Sequence, residues 1–347
     1  MSYLVIMAGG SGTRFWPKST SRRPKQLLSF APGAPTLLRQ TLDRFDGIVP
    51  GGEGHRMIVT TRGLSEACGI EARGVKILAE PAGRNTAPCV YWAAREIAAK
   101  DPRGVMLVMP ADHYIARPEN FSATLKQAVE WAQNHDDLVT LGITPTRPET
   151  GYGYLRIGAS QGGACRKVDA FVEKPNLERA KEFVATGDYL WNGGMFVWRA
   201  EVILRAFDEL MPEMKREWEA CKGKVEDAYP RLTATSIDYG IMEKARNVVG
   251  FALDCGWDDL GSWTTVEAMA DVLGARVEGG ACIGGEVLAV DSGGTIVDAP
   301  GKLVALLGVK DLIVVESGDV ILVADKSRAQ DIKLMVDAVK KRRPELT

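Results

Sequence analysis

Five cations sit close together near the start of the chain, behind a glycine-rich turn. Residues 3–28 read "YLVIMAGGSGTRFWPKSTSRRPKQLL", in which Gly9, Gly10 and Gly12 follow an apolar run and Arg14, Lys18, Arg22, Arg23 and Lys25 follow the glycines. Glycine lets a backbone approach a ligand closely, and fixed N–H groups with flanking cations suit the oxygens of a triphosphate. The glycine N–H groups would take the nearer oxygens and Arg14 and Lys25 the outer ones. A solvated loop with incidental charge is the competing reading of this segment alone. The pattern is not a Walker A loop, because Arg14 stands five beyond Gly9 where that loop has its second glycine, before Lys and Ser or Thr. It is not a dinucleotide fingerprint either: no third glycine opens a helix, and Pro17 and Pro24 interrupt the segment.

Carboxylates form the second feature. "VMLVMPADHYI" places Asp112 and His113 just beyond an apolar run stopped by Pro110, and "CGWDDLGSW" carries Asp258 and Asp259. One carboxylate from each segment would supply the two protein ligands that Mg²⁺ usually takes, phosphates and water filling the rest. A turn-stabilising aspartate is the plainer alternative for each. "FVEKPN" offers Glu173 and Lys174, and "WNGGMF" offers Asn192. Together they bring a carboxylate and an amide for sugar hydroxyls and a cation for a second phosphate, or only a strand end and a bulge. The three histidines, His55, His113 and His135, have no ligand-like spacing, which disfavours zinc and histidine-based nucleophilic mechanisms.

The elements that must position these residues are legible as alternating patterns. Apolar runs at residues 3–8, 57–60, 75–79, 105–109 and 138–143 predict buried strands, and residues 36–45, 86–100 and 118–134 predict helices. In the second helix Val90, Ala93, Ala94, Ile97 and Ala98 form one apolar stripe. Such alternation implies an α/β fold, a parallel sheet with helices on both faces, whose ligands bind at the carboxyl ends of the strands. Between residues 150 and 255, strand-like segments at 153–157, 166–173 and 194–198 mix with the helix-like "NLERAKEFVATGD" and predict an insertion that extends the sheet. After residue 275, short β-rich runs with Gly or Asp turns predict a small all-β domain closed by a helix at "AQDIKLMVDAVKKRR". The expected division is a catalytic domain over residues 1–270 and a small domain over residues 275–347.

Composition bounds the partners. The 347 residues are 46% hydrophobic and 25% charged, ample for a core, and roughly two domains are expected at this length. A formal net charge of -2 gives no overall field for nucleic acid or an anionic membrane, so an anion has to be held by a local cluster. Six scattered cysteines without a CxxC pair predict neither a zinc site nor a disulfide framework, and a reducing cytoplasm fits them. No apolar run approaches the ~18 residues of a membrane span or the pattern of a signal peptide, so the mature chain is expected to start near Met1.

Eight motifs in order, "AGGSGTRFWP", "PKQLL", "EPAGRNTAP", "PADHYI", "FVEKP", "WNGGMFVW", "SIDYGIMEK" and "WDDLGSW", resemble those of the mannose-1-phosphate guanylyltransferases of the nucleotidyltransferase superfamily. The resemblance is strong over residues 3–265 and weaker in the β-rich tail, and it implies a Rossmann-like fold of the nucleotide-diphospho-sugar transferase type, a mixed but mostly parallel sheet with helices on both faces, followed by a small β-helix-like domain. It implies the transfer of GMP from GTP to mannose 1-phosphate with release of pyrophosphate, and Mg²⁺ as cofactor. By position, Gly9, Gly10, Gly12 and Arg14 would cradle the triphosphate with Lys25 assisting. Glu80, Arg84, Asn85 and Thr86 would face guanine and ribose. Asp112 and Asp259 would hold Mg²⁺, Gly153, Glu173 and Asn192 would bind mannose, and Lys174 would hold the sugar phosphate. Arg14, Lys25, Asp112 and Lys174 would be the catalytic set. Asp258 stands where the family often has a small polar residue; Asp259 is preferred because it keeps the family's distance to "GSW". The family's longer members carry a cupin-type isomerase domain, and an isomerase activity is not expected of these 347 residues. A pyrophosphorylase for another base or hexose, a non-catalytic nucleotide-sensing subunit and a homodimeric assembly stay open. A nicotinamide-dependent oxidoreductase is disfavoured by the missing third glycine and by the lack of an acid in residues 27–35.

Overall fold

The computed structural model of the chain describes residues 1–10 and 12–347. The first part alternates strand and helix: β1 (Ser2–Met7), α1 (Leu37–Asp43), β2 (Arg56–Thr61), α2 (Ser65–Glu71), β3 (Lys76–Glu80), α3 (Thr86–Ala98), β4 (Val105–Pro110), β5 (Tyr114–Ile115), α4 (Pro118–Asn134) and β6 (Leu138–Ile143). There follow β7 (Tyr154–Gly162), β8 (Cys165–Val172), α5 (Leu177–Thr186), β9 (Tyr189–Arg199), α6 (Ala200–Leu210), α7 (Pro212–Ala220), α8 (Val225–Ala228), β10 (Val248–Leu253), β11 (Trp257–Asp258) and α9 (Trp263–Ala268). No described helix is long and apolar enough to cross a membrane.

The large sheet has the order β3-β2-β1-β4-β9-β6-β10-β8-β7. Strands β3, β2, β1 and β4 pair in parallel, as do β6 and β10, while β9 runs antiparallel between β4 and β6. The middle segment was expected to extend the sheet. Strands β7 and β8 do so at one edge, but β9 enters the centre. Its residues Met195, Phe196, Val197 and Trp198 are buried whichever face they point to, the pattern of a strand covered on both sides.

Alternation along β1 separates two cores. Leu4 and Ile6 pack with Leu38, Leu42, Phe121 and Leu125 of α1 and α4 on one face. Tyr3 and Val5 pack with Val90, Ala94, Ile203 and Phe207 of α3 and α6 on the other. Each such Leu, Ile, Val or Phe side chain contributes about 1.5–3 kcal/mol on burial. The stripe along α3 is buried at Val90, Ala93, Ala94 and Ile97, and its alanines let the helix lie close to the sheet.

A second sheet is formed by β12 (Arg276–Val277), β13 (Gly280–Val290), β14 (Thr295–Leu307), β15 (Leu312–Ser317) and β16 (Val320–Asp325), and is followed by α10 (Ile332–Lys340). Strands β13, β14 and β15 are parallel, and register shifts near Gly284 bend the long pair in the manner of a β-helix. This sheet shares a third core with the glycine-rich segment: Phe15, Trp16, Leu28 and Phe30 pack with Trp263 and with Ile283, Ile296, Ile313 and Ile332. The Trp16 indole N–H donates to the Leu346 carbonyl at 2.8 Å, and Lys18 Nζ lies 3.0 Å from the buried Asp298 Oδ1. Lys18, read from sequence as one of the cations gathered for phosphate, is thus spent holding the β-rich sheet to the loop.

Candidate active site

The carboxyl ends of β1, β3 and β4 open onto a cavity of about 660 Å³. Gly9 and Gly10 line it beyond β1, Glu80 at the end of β3, Arg84, Asn85 and Thr86 at the entrance to α3, and Asp112 and His113 beyond β4. The lining also includes Gly153, Glu173, Lys174, Asn192 and Asp259. Of the residues expected in the site, Gly12, Arg14 and Lys25 fall outside this lining. Arg14 is exposed, with Nη1 3.5 Å from the Gly261 carbonyl it faces. Gly12 is a left-handed residue at φ 59, and a Cβ there would meet Lys25 Cβ at 2.4 Å. Its lack of a side chain makes room for Lys25 rather than for a ligand.

Lys25 lies one layer behind the wall and joins its two halves. Its side chain is 9% exposed, with Nζ 2.8 Å from Asp112 Oδ2 and donating also to the Asp259 carbonyl oxygen. Burial raises the Asp112 carboxyl, but the Lys25 ammonium and His113 outweigh it and hold the group below the usual carboxylate range. His113 is pushed down to about 4, by burial first and by the neighbouring Lys25 and Arg44 cations against the pull of Asp112 and Asp259. The imidazole is therefore neutral near pH 7. Its Nδ1 accepts from the Trp257 indole at 3.0 Å, which leaves the ring proton on Nε2, 4.0 Å from Asp112 Oδ1.

The adjacent aspartates divide the work of their turn. Asp258 is buried, accepts from the Leu260 N–H at 2.7 Å through Oδ1 and lies 3.7 Å from Arg147. Burial pushes its carboxyl up to about 6. Asp259 lines the cavity, with Oδ1 accepting from Tyr152 at 2.8 Å.

At the entrance to α3, Asn85 takes φ 64 and its side chain accepts from the Thr86 N–H at 2.8 Å, capping the helix. Thr86 Oγ1 in turn accepts from the Ile237 N–H at 2.8 Å, and Arg84 donates to the Pro230 carbonyl. Glu80 is buried, accepts from Tyr229, and has its carboxyl raised by burial. Elsewhere in the lining, Lys174 Nζ is 2.7 Å from Glu173 Oε1, and a Cβ on Gly153 would fall 2.6 Å from Glu173 Oε2. Asn192 donates to Asp238 at 2.7 Å and accepts from the Gly194 N–H at 3.1 Å, so both ends of its amide are engaged within the protein.

Sequence reasoning assigned no site residue to several lining groups: Gln26, Thr61, His113, Tyr152, Ser236, Asp238 and Tyr239. The polar density of "SIDYGIMEK" was the available signal for three of them. There a π-helical turn, Asp238–Met242, carries Asp238 to Asn192.

The candidate metal site has a donor set of the right kind. Asp112 and Asp259 bring hard carboxylate oxygens to the same cavity, and no group of three or more His, Cys, Asp or Glu gathers among the described residues to hold an ion. Two carboxylates fit an ion such as Mg²⁺ that draws its remaining ligands from phosphate and water.

A Rossmann-like sheet with a glycine turn, paired carboxylates and further polar groups around one cleft defines a nucleotide-handling transferase. The nucleotidyl transferase family model matches residues 3–273, and the mannose-phosphate isomerase/GMP-like β-helix domain matches residues 285–339. A mannose-1-phosphate guanylyltransferase from Escherichia coli K12 is 38% identical over 97% of this chain and 73% of its own length. The alginate biosynthesis protein AlgA from Pseudomonas aeruginosa is 38% identical over 96% of this chain and 71% of its own. A crystal structure from Thermus thermophilus, described as a mannose-1-phosphate geranyltransferase, superposes with a TM-score of 0.88 at 35% identity, covering 98% of this chain and 99% of that one. The chain belongs to the nucleotidyl transferase family, among the mannose-1-phosphate guanylyltransferases.

Proposed function

We propose that the protein transfers GMP from GTP to mannose 1-phosphate, giving GDP-mannose and pyrophosphate, with Mg²⁺ held by Asp112 and Asp259. The observation that carries this reading is one cleft that gathers both sets of groups. The glycine turn, the α3 entrance and Asp112 line it together with Gly153, Glu173, Lys174, Asn192 and Asp259. The choice of guanine and mannose rests on the mannose-1-phosphate guanylyltransferase relative at 38% identity.

In this reading Gly9 and Gly10 present backbone to the triphosphate, and Arg84, Asn85 and Thr86 flank guanine and ribose. Glu173, Asn192 and Gly153 receive mannose, and Lys174 takes its phosphate. A sugar phosphate is largely dianionic near neutral pH, so an oxygen of it attacks the α-phosphorus without a protein base. The new P–O bond forms as the bond to the β-phosphate oxygen breaks, and that electron pair leaves with pyrophosphate. The protein's task is in-line placement and charge neutralisation. Lys25 keeps Asp112 and the Asp259 turn at fixed separation, and Arg14 at the rim meets the departing charge. When bound, Mg²⁺ would supply Lewis-acid neutralisation of phosphate oxygens.

The reaction takes place in the cytoplasm in this reading, which six unpaired cysteines support. The homodimer stays with the proposal as an assembly to be tested by light scattering. GTP, ATP, UTP and dTTP, each with mannose 1-phosphate and glucose 1-phosphate, read by pyrophosphate release, test the activity. Fastest release with GTP and mannose 1-phosphate is expected. Preference for another pair reassigns base or sugar, and no release with any pair ends the reading.

A further inference from the structure

No step of the transfer uses Tyr152, yet the chain invests a braced loop in holding it. Tyr152 Oη donates to Asp259 Oδ1 at 2.8 Å. Asp259 Oδ2 has no protein partner among the described residues. The Tyr152 ring stands edge-on to Trp191 and to Trp257, each with centroids 5.2 Å apart, so the hydroxyl cannot swing away without unpacking both indoles. Arg147 lies over Trp191 at 5.3 Å and over Tyr152 at 5.9 Å, with its Nη2 3.5 Å from Tyr152 Oη. Glu149 fixes that guanidinium at 3.2 Å and binds the Gly151 N–H at 3.0 Å, while its carbonyl accepts from Tyr154 at 2.8 Å. The segment "RPETGYGY" thus closes on itself and delivers a single free donor to Asp259.

We propose that Tyr152 is a positioning residue that occupies one oxygen of Asp259 and aims the other into the cavity for a divalent cation. The inference rests on the reading of Asp259 as a metal ligand. A carboxylate joined to the chain through freely turning bonds samples orientations that a donor on one oxygen removes. Partners in this outer position typically change metal affinity by about 10–100-fold when lost.

Tyr152→Phe keeps the ring and its indole contacts and removes only the O–H. Binding of Mn²⁺ to the full chain, with GDP present, is followed by the loss of the free-ion electron paramagnetic resonance signal. The expected result is about tenfold weaker Mn²⁺ binding in Tyr152→Phe. The Mg²⁺ concentration for half-maximal activity should rise by the same factor, turnover should recover at high Mg²⁺, and the KM for mannose 1-phosphate should stay within about twofold. Affinity and Mg²⁺ dependence both within about twofold of wild type overturn the proposal. Adding Tyr152→Phe to Asp259→Asn should change Mn²⁺ affinity by less than about twofold; a further tenfold loss shows a route that bypasses Asp259 and also overturns it. If Asp259→Asn alone binds Mn²⁺ as wild type does, the metal role of Asp259 falls, and the part of Tyr152 with it.

Discussion

Replacing Gly12 by alanine tests whether the glycine turn works through Lys25. The backbone at Gly12 has φ 59, a conformation that costs an L residue about 1–2 kcal/mol. The new Cβ would stand 2.4 Å from Lys25 Cβ and 2.9 Å from Lys25 N, where ordinary contact begins near 3.4 Å. The two segments must therefore part by about 1 Å. Lys25 Nζ is 2.8 Å from Asp112 Oδ2, so such a retreat takes it out of hydrogen-bond range. Misplacement of this size in a catalytic site lowers the rate by about 10²-fold. The stability loss, strain plus local repacking, should be about 2–4 kcal/mol, which leaves a domain of ordinary stability folded. Urea unfolding measures the first effect and pyrophosphate release at saturating GTP, mannose 1-phosphate and Mg²⁺ the second. Gly10→Ala is the control, since a Cβ there meets nothing within 4 Å in the free protein. Its stability should stay within about 0.5 kcal/mol of wild type, and any lost turnover would report on bound substrate. Wild-type turnover in Gly12→Ala, despite the expected loss of stability, would refute the link between the turn, Lys25 and catalysis.

Further outcomes follow from the same geometry. Lys25→Ala removes the tie between Asp112 and the Asp259 turn, and kcat is expected to fall by about 10²–10³-fold while the far-ultraviolet circular dichroism is kept; a kcat near wild type excludes Lys25 from the mechanism. Lys174→Ala removes one exposed charge-assisted contact worth about 1.5–3 kcal/mol, so the KM for mannose 1-phosphate should rise about 10–100-fold; a change confined to the KM for GTP contradicts the assignment. Asp258 binds its proton more tightly folded, at about 6, than the ordinary 3.8, so its contribution is full below pH 3.8 and lost as pH rises through 6. Above that pH the buried charge costs the native state up to about 3 kcal/mol. Asp258→Asn keeps the acceptor for Leu260 without the charge, and should therefore be more stable than wild type at pH 7.5 by about 1–3 kcal/mol, with the advantage fading towards pH 4. An equal advantage at both values shows that charge burial is not its source.

Much of this site was legible before the fold was known, because its residues follow strands. Asp112 stands two residues beyond the end of β4, and an apolar run ended by Pro110 announces both the strand and its carboxyl end. Helix α4 and strand β6 fall on the expected residues, 118–134 and 138–143, since clean apolar periodicity and Pro118 at the helix start leave little choice. The central place of β9 was not legible: a run buried on both faces says that a strand is covered, not which neighbours cover it.

Local chemistry alone therefore determined the α/β alternation, the glycine turn, the β-rich tail and the kinds of group that meet in the cleft. Periodicity and residue type act over a few neighbouring positions, and the sequence displays both directly. The tertiary structure decided which groups meet. Lys18 turned from phosphate to Asp298, Gly12 from ligand cradle to a seat for Lys25, and of two adjacent aspartates one is buried in its turn while the other faces the cavity. Each of these depends on contacts between segments as far apart as Lys18 and Asp298, and side-chain pairing at that range is set by packing, which spacing along the chain does not encode.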